Sequence, residues 1–321
     1  MKYLVIALII LAAVTVFLFA VCFAVMYFLF FNTPATDREN PKPDPLLGED
    51  LPKVIKRCDA ATKHIKETYP YEHVSVRTDD GLTLYGDFYI NENKTDKTIL
   101  CVHGYNSSGY YDFAPMVEPI LKRGYNCFLL NHRHYGGSEG KYTGFGIFES
   151  EDLIKWIELV NSYFPDGKIV LYGNSMGAAT VMQASNKDLT KNVVGIIEDC
   201  GFTSCREEFK HVLNNTAHLP SFPLLNILGL LTKVFLKLDL KKCDSRKSVA
   251  ETKLPMLFVH GDADVFVPPE MARECYEACQ SEKELIFYEG ATHAQSNFRH
   301  PEKYENDLLG FADRVCNANN S

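Results

Sequence analysis

The sequence predicts an α/β fold: a mostly parallel, eight-stranded sheet with helices on both faces, a short helical lid insertion and an N-terminal transmembrane helix. Three observations point there. Short runs that are apolar throughout alternate with helical patterns from Thr98 onward, as expected of strands that crossover helices bury on both faces. That alternation breaks once, between Cys200 and Leu254. Finally, no charged residue occurs from Tyr3 to Phe31.

The uncharged run comes first in the chain. As a helix it reaches about 43 Å at 1.5 Å per residue, against a hydrocarbon core of about 30 Å, so it spans with tilt to spare. A cleaved secretory signal has an apolar stretch of only about 7–15 residues before a small-x-small site. Residues 1–31 therefore read as an uncleaved single-pass anchor. Lys2 and the amino terminus precede the run, while Arg38, Lys42 and Lys53 follow it among several acids. The charge count is thus balanced, and the two-residue tail favours an extracytoplasmic position for the large domain. Residues 32–53, rich in Pro, Asp and Glu, read as a linker into a single domain over 54–321.

Within that domain, Val54–Thr68 is expected to be helical. His73–Thr78 and Leu82–Ile90 flank Asp79-Asp80-Gly81, a hairpin turn. Strands follow at Thr98–Val102, Asn126–Asn131, Lys168–Tyr172, Val193–Glu198, Met256–His260 and Glu284–Tyr288, with helices at Asp112–Arg123, Phe148–Tyr163, Met176–Asn186, Pro269–Cys279 and Pro301–Val315. The insertion, about 201–254, contains Pro220-Ser221-Phe222-Pro223 and then the apolar Leu224–Leu231. It reads as a helical lid over the C-terminal edge of the sheet, or as an ordinary crossover helix packed on the core.

At 321 residues with a net charge of −8, the chain can bury a full core and carries no basic tract suited to nucleic acid. The ten cysteines include no pair of zinc-ligand spacings, and neither a metal nor a cofactor is expected. Cys101 and Cys127 sit in strand-like runs as core thiols, and Cys275 and Cys279 share a helix face. Disulfides stay open for an extracytoplasmic domain.

Chemistry is concentrated at Gly173-Asn174-Ser175-Met176-Gly177, between the strand Lys168–Tyr172 and a run of helix formers. A serine on a sharp strand-to-helix turn presents its hydroxyl away from the backbone, and the glycines relieve crowding where strand and helix meet. A serine hydroxyl attacks only when a base takes its proton, and a third group must orient that base. In a parallel sheet such groups gather at the C-terminal ends of strands. The strand Met256–His260 ends in Gly261-Asp262-Ala263-Asp264, and Glu284–Tyr288 ends in Glu289-Gly290-Ala291-Thr292-His293. Nucleophile, acid and base thus follow in the order Ser, Asp, His. The Met176 N–H, next to the serine at a helix N-terminus, suits a developing oxyanion.

Over about residues 70–318 this pattern resembles the α/β-hydrolase superfamily. The family's Gly-x-x-Asp-x-x-Val-Pro turn matches Gly261, Asp264, Val267 and Pro268, which implies Asp264 as the acid; Asp262 and Asp199 are the alternatives. His293 is the base the resemblance implies. His300 suits a helix cap and His260 a satisfied core position. The family's His-Gly-x turn, here His103-Gly104-Tyr105, implies the Tyr105 N–H as the second oxyanion donor, with His103 shaping the loop. In Asn131-His132-Arg133-His134-Tyr135-Gly136-Gly137-Ser138, Asn131 and His134 depart from the family pattern, which bears on loop packing.

The first functional reading is a membrane-anchored serine hydrolase of carboxylic esters, similar to membrane-anchored hydrolases related to the serine-aminopeptidase-like and Bem46-like groups. The apolar Phe222–Leu236 and the anchor suggest a small-molecule or lipid-like acyl substrate. A serine peptidase or amidase of the same fold is the second, with Glu207 and Glu208 as an acidic pocket. The third is a catalytically inactive binding protein.

Overall fold

The described residues form eight strands: β1 (Glu72–Arg77), β2 (Thr83–Tyr89), β3 (Lys97–Val102), β4 (Asn126–Leu130), β5 (Lys168–Asn174), β6 (Val193–Asp199), β7 (Met256–Gly261) and β8 (Lys283–Tyr288). They form one sheet in the order β1-β2-β4-β3-β5-β6-β7-β8. β1 pairs antiparallel with β2, and β2 antiparallel with β4; every later pairing is parallel. The computed structural model describes residues 1–31 and 42–318. Residues 32–41 of the expected linker lie outside that range. Its remainder holds a turn bridged by Asp44 and Gly48.

The helices are α1 (Lys2–Phe31), α2 (Leu51–Thr68), α3 (Gly109–Lys122), α4 (Glu149–Tyr163), α5 (Met176–Ala184), α6 (Cys205–His211), α7 (Ser221–Phe235), α8 (Ser245–Glu251), α9 (Pro269–Ala278), α10 (Ser296–Arg299) and α11 (Pro301–Asn317). Side chains alternate across the sheet, so a strand covered on both sides must be apolar at consecutive positions. β3 does this: Ile99 and Cys101 join the core with Phe113, Ile120 and Leu308 of α3 and α11. Leu100 and Val102 join the opposite core with Leu153, Trp156 and Val181 of α4 and α5. All ten cysteines are buried free thiols.

Both readings of the 201–254 insertion hold in part. α8 packs on α5 and α9 as a crossover helix. α6 and α7 instead lie over the C-terminal end of the sheet, where Phe209, Leu225, Leu228 and Leu231 form a third apolar cluster with Met176 and Phe145. α1 is long and apolar enough to cross a membrane. From Met1 to Val21 almost all of it is exposed, but Cys22, Met26 and Phe30, one turn apart, are buried in that third cluster.

Candidate active site

Ser175 sits where β5 turns into α5, with φ +54° and ψ −115°, a conformation a side chain adopts only under local constraint. A Cβ on Gly177 would lie 1.8 Å from the Val102 carbonyl oxygen, so only glycine lets α5 start this close to β3. The Ser175 N–H donates to the Asp199 carbonyl at 2.8 Å, which fixes the turn against β6.

The structure brings Ser175, His293 and Asp264 together. Ser175 Oγ lies 2.8 Å from His293 Nε2, and His293 Nδ1 lies 2.7 Å from Asp264 Oδ2. A Cβ on Gly261 would meet the Ala291 carbonyl oxygen at 2.2 Å, so this glycine lets the turn after β7 approach the loop after β8. Asp264 Oδ1 accepts the Phe266 and Val267 N–H groups at 2.9 Å each. Burial by itself pushes the Asp264 carboxyl up, but His293 and His260 outweigh it and hold the group well below the usual carboxylate range. Asp264 is therefore an anion with one oxygen committed to the backbone and the other to imidazole.

His260 is more than a satisfied core residue. Its Nε2 donates to the Val267 carbonyl at 2.9 Å and stands 3.3 Å from Asp264 Oδ2. Burial pushes its pKa down, but contact with Asp264 outweighs that and the net direction is upward.

The other candidates lie elsewhere in the network. Asp199 Oδ2 accepts the Tyr304 hydroxyl at 2.5 Å, and burial pushes its carboxyl up to about 6 against that hydrogen bond. Asp262 Oδ1 accepts the Gly290 N–H at 2.7 Å. His300 donates from Nε2 to the Glu289 carbonyl at 2.7 Å, at the start of α11. Glu207 pairs with Lys210 at 3.6 Å.

The loop after β3 is held by Asp112, in the first turn of α3. Its Oδ2 accepts the Gly104 N–H at 2.7 Å and its Oδ1 the Ser107 hydroxyl; burial pushes this carboxyl up to about 6. His103 donates from Nδ1 to the Gly104 carbonyl and accepts the His132 N–H at Nε2. Burial and the neighbouring His132 hold its pKa down, so it stays neutral. Among the described residues, no protein acceptor takes the Tyr105 or Met176 N–H. The Tyr105 ring stacks on Phe145 at 5.0 Å, and its hydroxyl donates to the Leu29 carbonyl of α1 at 2.9 Å.

Beside Ser175 opens a cavity of about 330 Å³ whose walls are almost wholly apolar, among them Phe202, Phe209, Leu224, Phe266, Val25 and Leu29. Among the described lining residues Glu208 carries the ionisable carboxyl. Neither of its carboxylate oxygens has a hydrogen-bond partner among the described residues, and burial, then the Asp264 charge, pushes its pKa well up. Among the described residues no group of His, Cys, Asp and Glu could hold a metal ion.

Sequence reasoning missed Asp112, the contact of His260 with the acid, and the share that α1 has in the cavity. A carboxylate four residues past Ser108, which caps α3, was a visible signal for Asp112. No signal of comparable kind existed for α1.

Comparison with known proteins agrees with this architecture. A family model described as alpha/beta hydrolase fold matches residues 97–220, and one described as serine aminopeptidase, S33, matches 241–297. The uncharacterized protein YqkD of Bacillus subtilis is 24% identical over 290 residues, covering 90% of this chain and 91% of YqkD. The uncharacterized membrane protein YNL320W of Saccharomyces cerevisiae is 28% identical over 221 residues, 68% of this chain and 71% of that protein. Among solved structures, the Pyrococcus furiosus esterase Pf2001 superposes with a TM-score of 0.65 at 26% identity, covering 78% of this chain and 94% of the esterase. With family models over 97–220 and 241–297 and these relatives along most of its length, the chain is a member of the α/β-hydrolase superfamily.

Proposed function

We propose that this protein is a membrane-anchored serine hydrolase that cleaves carboxylic esters through an acyl-enzyme. The observation that carries the reading is the continuous line from Ser175 Oγ through His293 to Asp264, at 2.8 and 2.7 Å, opening on an apolar cavity. His293 Nε2 takes the Ser175 proton as Oγ attacks the ester carbonyl. Asp264 holds the proton on Nδ1 and stabilises the imidazolium. The Tyr105 and Met176 N–H groups receive the oxyanion. His293 then protonates the leaving alkoxide, and an alcohol departs. Water, deprotonated by His293, attacks the acyl-enzyme and releases the carboxylic acid. Residues 1–31 serve as the anchor, 32–53 as the linker and 54–321 as the hydrolase domain.

Labelling by a fluorophosphonate tests the reading. Wild type takes up the probe and Ser175→Ala does not; a folded wild type that stays unlabelled sinks it in favour of an inactive binding protein.

The S33 match and Glu208 support the peptidase alternative. A cationic peptide terminus, however, requires Glu208 to ionise against its burial, whereas a neutral acyl chain requires nothing of it. Rates on parallel panels of acyl esters and peptide amides separate the two, and preference for amides reverses the order.

A further inference from the structure

The last turns of α1 do more than lead out of a membrane. Lys2–Val21 alone reaches about 30 Å as a helix, the full thickness of a hydrocarbon core of about 30 Å. The remaining segment, Cys22–Phe31, belongs to the site. Cys22 Sγ donates to the Leu224 carbonyl of α7 at 3.6 Å, and Phe23 packs edge-on against Phe235 at 5.4 Å. Phe30 is buried against Phe145 and Phe209, and its carbonyl accepts the Thr143 N–H at 3.1 Å. Leu29 holds the Tyr105 hydroxyl, and Val25 and Leu29 line the cavity beside Ser175.

α7 continues the apolar surface of α1 outward. Phe222, Leu230, Val234 and Phe235 are 74, 51, 62 and 60% exposed, with Asn226 and Lys233 exposed beside them, a mainly apolar surface that water would not tolerate cheaply but a membrane interface would. Lys237, Lys241 and Lys242 stand exposed just beyond its C-terminus, the kind of basic side chain that pairs with phospholipid headgroups. A helix with this division, packed against the domain-proximal end of α1, has the chemistry of one that lies along a membrane interface.

We propose that α1 and α7 together form an acyl subsite at the membrane interface, with Cys22–Phe31 as one wall, which takes the acyl chain of a membrane ester lipid directly from the bilayer. A cavity of about 330 Å³ with almost wholly apolar walls is of the size and chemistry that suit a single acyl chain. The proposal rests on the ester-hydrolase reading for turnover, but not for binding.

The test uses the full chain in vesicles of dialkyl-ether phosphatidylcholine, which presents no acyl ester to cleave. In Ser175→Ala protein, a phosphatidylcholine with a diazirine at the end of one acyl chain should photolabel Phe202 or Phe266, domain residues inside the cavity. Adding Val25→Trp should reduce that label about fivefold, while Val16→Trp, on the exposed part of α1, leaves it unchanged. With Ser175 intact, Val25→Trp should lower the dodecanoate-to-butyrate preference about tenfold, the worth of roughly two buried methylenes. Label confined to the exposed face of α1, or an unaltered preference in Val25→Trp, overturns the proposal. Cavity labelling without turnover would instead fault the hydrolase reading and leave the subsite standing.

Discussion

Asp264→Asn changes one atom of the site, and the surroundings dictate how the amide must sit. Oδ1 accepts two backbone N–H groups, from Phe266 and Val267, at 2.9 Å. An amide nitrogen there would set donor against donor twice, so the asparagine oxygen takes that place. Its NH2 then faces His293 Nδ1, which lies 2.7 Å from Oδ2, and His260 Nε2 at 3.3 Å, itself a donor to the Val267 carbonyl. His293 can satisfy this only by accepting at Nδ1, which puts its proton on Nε2, facing Ser175 Oγ. In that tautomer it has no lone pair for the serine proton. The same change in the template serine-protease triad costs about 10⁴ in kcat. We expect about 10³–10⁴ here, equivalent to about 4–5.5 kcal/mol at 1.36 kcal/mol per decade. Steady-state ester hydrolysis measures it, with circular dichroism to establish that the variant is folded. Asp199→Asn is the companion: its carboxylate bonds to Tyr304, so kcat should stay within about tenfold while thermal stability falls. A folded Asp264→Asn enzyme that keeps more than about a tenth of the wild-type kcat refutes the assignment of Asp264 as the orienting acid.

Three further outcomes follow from the surroundings of the site. His260→Phe removes one of the two imidazoles holding Asp264 down, so kcat should fall by about tenfold. Because a depressed carboxyl stabilises the fold above its unfolded pKa and loses that contribution as pH falls through the folded one, the variant's stability deficit in thermal melts should shrink on acidification from pH 5. Glu198 has the opposite sign: burial pushes it up to about 8 from 4.5, so the folded state keeps a proton the unfolded state has lost between those values. Stability from this group is complete below about pH 4.5 and declines as pH rises to about 8, by a few kcal/mol at about 1.4 per unit. Glu198→Gln should flatten that slope in thermal melts taken across the range, and an unchanged slope would place the linkage elsewhere. Gly177→Ala should cost more than about 3 kcal/mol, read as loss of folded protein on expression, since its Cβ meets backbone that cannot yield.

What could be read in advance, and what could not, divides along a physical line. Strands buried on both faces announce themselves by composition, because alternation sends neighbours such as Ile99 and Leu100 into different cores and both must be apolar. Once the parallel strands are placed, their C-terminal ends are placed too, and Ser175, Asp264 and His293 fall together because each follows such an end within a few residues. The docking of α1 has no such local cause. Its composition is apolar on every side, as a lipid-spanning helix would need, so the three positions that face protein, Cys22, Met26 and Phe30, look no different from their neighbours. Only the partners distinguish them: a ring pocket made by Phe145 and Phe209, far apart in sequence, and a carbonyl of α1 at the reach of the Tyr105 hydroxyl. His260 escaped notice for a related reason, since a histidine at a strand end looks the same whether it meets a carbonyl alone or a carboxylate as well. In both cases the missing information lay in the pairing of elements remote along the chain. The loop after β3 therefore depends on α1 through a bond that no reading of either segment alone contains. That dependence makes detaching Cys22–Phe31 a change to the site itself and not merely to where the protein resides.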